Sequence, residues 1–163
     1  MGICFVGKVG IKDFLLNEIG PQKHGDIVDQ TGKVVGEHEG AIFYTIGQRH
    51  GLDVGGGFPY YVVDKDMSKN VVFVTTNIDD DKLWKNEIQL SQMHIINKQT
   101  KNSYENLKVR TRHRSELISC SLDVLDGGRA VVKLKDPIRA LTAGQSAVFY
   151  DGEVCLGGGV ITT

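Results

Sequence analysis

Proline and cysteine are scarce in this 163-residue chain, with three of each. Cys4, Cys120 and Cys155 are odd in number and far apart, which excludes a secreted disulfide framework and points to a reducing compartment. None belongs to a CxxC pair, so a structural zinc site has no support. The longest apolar runs fall far short of the roughly 20 residues a membrane span needs. No basic, apolar and small-residue signal pattern opens the chain, although a chain cut from a longer protein would hide one. The formal net charge of -1 gives no global pull toward nucleic acid or membrane, so any basic surface must be local. Long amphipathic helices are nearly missing.

Composition otherwise matches a folded globular chain: 40% hydrophobic and 24% charged residues leave no case for large-scale disorder. Twenty glycines, with valine and isoleucine in short runs, predict many short strands joined by tight turns. The one helical candidate is Ile11 to Ile19, with Phe14, Leu15 and Ile19 on one stripe and Gly20-Pro21 as its stop. Next, GDIVDQTGKVVG reads as a hairpin turning at Asp29 to Gly32. A second hairpin pairs Tyr60 to Asp64 with Asn70 to Thr75 around the polar turn Lys65 to Lys69. The polar stretch Asn77 to Lys82 is the expected boundary. Beyond it, Glu87 to Met93, Leu107 to Arg114, Ile118 to Val124, Ala130 to Leu134, Ser146 to Tyr150 and Glu153 to Ile161 are strand candidates spaced for a small closed barrel. The expected fold is mainly β: a small central β domain with one short helix over 1–78, then a small antiparallel β-barrel over 79–163.

Four stretches carry candidate chemistry. Cys4, between Ile3 and Phe5 in GICFVGK, reads locally as a core-strand thiol, and alternatively as a sulfur-handling nucleophile flanked by Gly2 and Gly7. HEGAIFYTIGQRHGL gathers His38, Tyr44, Gln48, Arg49 and His50; its histidines lack carboxylate or cysteine partners at ligand-like spacing, so a polar loop closing a sheet is preferred to a metal site. In VRTRHR, strand alternation would set Lys108, Arg110, Arg112 and Arg114 on one face and Val109 and Thr111 on the other. That positive stripe suits a sugar-phosphate backbone, and equally suits the solvated outside of an edge strand. Near the carboxyl end, Gln145 follows a turn, and Gly157 to Gly159 lack the Lys-Ser/Thr and helix of a P-loop, so they are expected to let a barrel strand bend.

In that order along the chain, GICFVG, GEHEGAIFYTIGQRHGL, YYVVDKD, VRTRHR and PIRALTAGQSAVFYDGEVCLGGGVI resemble the carboxyl-terminal part of the tRNA-specific 2-thiouridylases, the MnmA/TrmU family. The resemblance covers essentially the whole chain. It implies a central β domain and a barrel similar to the second domain of elongation factor Tu, and an amino-terminal ATP-pyrophosphatase domain that has no counterpart here. ATP with Mg2+ is implied for that missing domain, and no cofactor or metal for this part. Cys4 matches the family cysteine that receives a persulfide from an upstream sulfur-carrier protein before sulfur reaches C2 of the wobble uridine. Arg112, His113 and Gln145 match positions that contact tRNA, while Arg110, Arg114 and Lys108 join them by strand alternation alone. Members often carry a basic residue where Val9 stands, and Lys12 is the nearest substitute. The implied whole is a cytoplasmic tRNA-uridine 2-sulfurtransferase whose partners are tRNA and the sulfur carrier, with no membrane; this part alone would be inactive. The competing reading is a stand-alone translation-factor-like barrel that binds RNA or protein without sulfur chemistry.

Overall fold

The computed structural model describes residues 11–52, 54, 55, 57–96 and 101–162, which form two compact units meeting at Asp80 and Asp81. The structure is mainly β, as the alternating apolar patterns predict. In the first unit, helix α1 (Ile11–Ile19) is followed by β1 (Gly25–Val28), β2 (Val34–His38), β3 (Tyr61–Asp66) and β4 (Val71–Thr75). Gly20 N–H donates to the Leu16 carbonyl at 2.9 Å and Pro21 prevents a further turn. The half-buried stripe of α1 is Phe14, Leu15 and Leu16; Ile19, expected on it, is exposed in the last turn.

The sheet order is β2-β1-β4-β3, with both hairpins antiparallel and β1 joined to β4 in parallel. Each hairpin turn is organised by one aspartate. Asp29 Oδ1 accepts from the backbone N–H groups of Thr31 and Lys33, and Asp66 Oδ1 from those of Ser68 and Lys69. Ile27, Val62, Val72 and Val74 are fully buried beneath Ala41 and Tyr44. At about 25 cal/mol per Å2 of apolar surface, such side chains contribute roughly 1.5–3 kcal/mol each.

The second unit is a closed antiparallel barrel of six strands: β5 (Trp84–Ile95), β6 (Ser103–Arg110), β7 (Ile118–Leu125), β8 (Arg129–Arg139), β9 (Ser146–Asp151) and β10 (Val154–Ile161). They run β10-β5-β8-β7-β6-β9 around the barrel, which leaves no open sheet edge. Alternate residues fill the interior: Ile88 and Leu90, Leu107 and Val109, Cys120 and Leu122, Ala130 and Val132, Ala147 and Phe149. The glycine run bends β10 as expected. The register slips by a residue between Cys155 and Gly157 against β9, and between Gly158 and Val160 against β5. The backbones close in there until a Cβ on Gly158 would stand 2.6 Å from the Ala147 carbonyl oxygen.

One expected strand is shorter than its pattern implied. Leu107 to Arg114 does not continue as a single strand: β6 ends at Arg110, and Arg112 to Ser115 form a turn in which Ser115 N–H donates to the Arg112 carbonyl at 3.1 Å. Arg114, at φ 63, lies within this turn in the left-handed region. The alternation holds only as far as Thr111, which is buried like Leu107 and Val109, while Lys108 and Arg110 face outward.

Candidate nucleic-acid interface

The basic residues of VRTRHR occupy the outer face of β6 and the turn after it. Lys108 is exposed and lies opposite Tyr150 of β9; Arg110 is half-buried opposite Val148. The Arg110 guanidinium carbon sits 5.8 Å from the centre of the Tyr150 ring, within cation–π range. Its Nε is buried without a hydrogen-bond partner, so the cationic head is held by packing against the ring.

Arg112 folds back across the barrel rim. Its Nη2 donates to the Ala140 carbonyl and its Nε to Gln145 Oε1 at 3.4 Å. The rest of the rim fixes those two acceptors. Ala140, at φ 55, donates its N–H to the Leu83 carbonyl at 2.7 Å, and its own carbonyl also accepts from Thr142 Oγ1 at 3.3 Å. Gln145 is tied to β10 through its carbonyl, which accepts from Ile161 N–H at 2.8 Å. The β6–β7 turn and the β8–β9 loop thus bring together two side chains 33 positions apart.

His113 and Arg114 stand exposed in the turn. Among the described residues, no ion pair engages Lys108, Arg110, Arg112 or Arg114, whereas Lys12 pairs with Glu39, Lys69 with Asp66 and Lys133 with Asp123. Lys12 is therefore occupied by Glu39, at 2.6 Å on an exposed surface. Unpaired guanidinium groups on a rigid rim offer planar forks to phosphate oxygens, and a neighbouring amide adds a neutral donor.

Local pattern could not show the Arg112–Gln145 pairing, because periodicity carries no information across 33 positions. Tyr150 was missed as well. Its signal was an aromatic residue at an outward strand position directly opposite a cationic strand.

Elsewhere the candidates separate. Cys4 lies outside the described residues. Cys120 is buried in the barrel, where desolvation pushes its thiol up to about 11, whereas Cys155 is exposed on β10. His38 is buried in the first unit: its Nδ1 accepts from Gly40 N–H at 3.0 Å, its ring lies 5.4 Å from that of Tyr44, and burial lowers its pKa. Arg49 and His50 are exposed. Among the described residues no cluster of three histidine, cysteine or carboxylate side chains could hold a metal ion. No described helix is long and apolar enough to cross a membrane.

Two family models match in series. Residues 12–76 match a tRNA methyl transferase PRC-barrel domain, and residues 85–161 match an aminomethyltransferase beta-barrel domain. Three curated relatives align along nearly the entire chain, and all are named tRNA-specific 2-thiouridylase MnmA. The protein of Shewanella amazonensis is 41% identical over 99% of this chain, that of Pseudoalteromonas translucida 44% over 98%, and that of Idiomarina loihiensis 41% over 98%. The chain belongs to the tRNA 2-thiouridylase family. It spans less than half the length of those thiouridylases, 44% of the first and 45% of the second. The barrel rim is thus a feature of a protein whose relatives are named for action on tRNA.

Proposed function

We propose that this chain provides the tRNA-holding surface and the sulfur-carrying cysteine of a tRNA 2-thiouridylase. The observation that carries the RNA half is the barrel rim, where Arg112 and Gln145 share a hydrogen bond beside Lys108 and Arg110, with none of these cations neutralised by a described carboxylate. His113 and Arg114 extend the same surface through the exposed turn. In this reading the rim grips backbone phosphates and positions one nucleotide, while specificity for the wobble uridine resides elsewhere in the whole enzyme.

The sulfur half rests on the match of Cys4 to the family's persulfide cysteine. Cys4 accepts a sulfane sulfur from a carrier protein, and its terminal sulfur forms a bond to C2 of the uridine as the C2–O bond breaks. A second cysteine, contributed by the rest of the enzyme, then attacks the Cys4 sulfur. The S–S bond of the persulfide adduct breaks, sulfur stays on C2, and the two cysteines are left as a disulfide for a thiol reductant to reopen. ATP with Mg2+ would be held by the rest of the enzyme and would supply the activation that makes the C2 oxygen a leaving group. The chain by itself is then an RNA-binding piece without thiolation activity, working in the cytoplasm.

The RNA reading is tested by titrating tRNA at several salt concentrations against the native chain and Arg112→Gln. Loss of one phosphate contact weakens binding to all tRNAs and flattens the salt slope by about 0.7–0.9. Equal affinity and equal slope would refute it. For the sulfur half, the complete enzyme carrying Cys4→Ser should leave tRNA unthiolated. Normal thiolation would remove Cys4 from the reaction.

A further inference from the structure

The first unit has a concave feature that the barrel rim does not use. Between Tyr44 and Tyr61, before β3, the described residues are tied back onto the sheet at several points. Gly47 N–H donates to the Val62 carbonyl at 2.7 Å, and Val62 N–H returns a bond to the Gln48 carbonyl at 3.0 Å. The Gln48 side chain ties the loop to itself, accepting from Thr45 N–H at 3.0 Å and donating to the His50 carbonyl at 2.9 Å. Farther along, Val54 bridges to Gly36 of β2, and Leu52, Val54 and Tyr60 pack against the buried cluster around Val62.

On this fixed base opens a cavity of about 330 Å3, lined by Arg49, His50, Leu52, Phe58, Pro59 and Tyr60 among others. That is the lower end of the range for small-ligand sites. Phe58 leaves 69% of its surface in water, the largest exposure of any big hydrophobic side chain described. No described lining residue is a carboxylate. Among its described residues the opening thus presents apolar ring faces beside a planar cation and an imidazole. Its complement is a flat aromatic ring carrying a nearby anion, the chemistry of one unstacked nucleotide: the base covers Phe58, and Arg49 and His50 meet the phosphate.

We propose that this pocket binds a single unpaired nucleotide of RNA, as a second contact independent of the barrel rim. The proposal rests on the reading that the chain binds tRNA. A stacked base is sequence-tolerant, so the pocket adds affinity and position while leaving base choice to other contacts.

The test measures fluorescence anisotropy with labelled tRNA transcripts, using Phe58→Leu, which keeps apolar bulk but removes the ring face, and Arg49→Gln. Both side chains are exposed, so circular dichroism should show native folding. Stacking on one base predicts about 5- to 100-fold weaker binding for Phe58→Leu. Arg49→Gln should flatten the salt slope by about 0.7. In a series of transcripts each carrying one abasic nucleotide, one position should weaken native binding and abolish the difference between native and Phe58→Leu. If both variants bind within about twofold of native, or if no abasic position removes the Phe58 effect, the pocket is not a nucleotide site. Arg112→Gln is measured alongside. Loss there with Phe58→Leu unaffected defeats the pocket alone, whereas no loss in any variant defeats the RNA reading itself.

Discussion

Replacing Gly157 with alanine should break the barrel at the strand that anchors the Arg112–Gln145 rim. Gly157 lies where β10 changes register, opposite Ile95 on one side and Phe149 on the other. Its φ is 148, and a Cβ there would stand 2.0 Å from the His94 carbonyl oxygen and 3.0 Å from Ile95 Cα. Those atoms are backbone and cannot rotate aside. Forced overpacking costs about 1–3 kcal/mol, and a side chain in a sparsely populated backbone region costs about as much again. Gly144 isolates the second effect, because its φ is 86 but the space around its missing Cβ is empty. Gly144→Ala should cost only about 1 kcal/mol, a melting decrease of about 4–8 °C for a unit of this size. Near about 4 kcal/mol, Gly157→Ala should lower melting by about 16–32 °C. That is comparable with the whole stability of such a unit, about 4–12 kcal/mol. Gln145 and Gly144 both bond to Ile161 at the end of β10, so tRNA affinity should fall with the fold. Thermal melts of the two variants within about 4 °C of one another would refute the steric argument.

The remaining predictions concern buried titratable groups. His38 has a folded pKa below its usual 6.5 because burial opposes its charge, with Asp26 partly offsetting this and His24 reinforcing it. The unfolded chain therefore takes up the proton first: the stability contribution is intact above about pH 6.5 and is lost as pH falls from there toward the folded pKa. Urea midpoints at pH 5 and pH 8 should differ less for His38→Asn, which keeps an acceptor for Gly40, than for the native chain; an equal difference would exclude His38 as a source of acid sensitivity. Cys120, with its thiol raised to about 11, should resist alkylation at pH 8 until the barrel is unfolded, whereas exposed Cys155 should react in the native state, as intact-mass spectrometry would reveal.

Much of the fold was legible because barrel strands announce themselves by alternation. Ile88 and Leu90, or Leu107 and Val109, are interior residues separated by outward polar ones. Strand ends were harder. The basic alternation after Val109 imitates a continuing strand, yet the chain turns at Arg112, and the bond that defines the turn is local backbone geometry with no sequence period. At β8 the error ran the other way. The expected strand stopped at Leu134, but β8 runs on to Arg139, and Pro137 is accommodated because it falls where the β5–β8 register shifts and no ladder donor is required of it.

The site was legible in a different degree. Charge pattern alone could not choose between an RNA-binding stripe and a solvated edge strand, and barrel closure removes the second option in its simple form, since β6 is paired on both sides by β7 and β9. Lysine and arginine there are not guarding an open edge against aggregation. Arg110 is packed on Tyr150 and Arg112 is bonded to a carbonyl and an amide across the rim, so each loses side-chain freedom in the folded chain. A solvated face gains nothing from that restraint. A surface that must meet fixed phosphates does, because cations already held in place have less entropy to lose on binding.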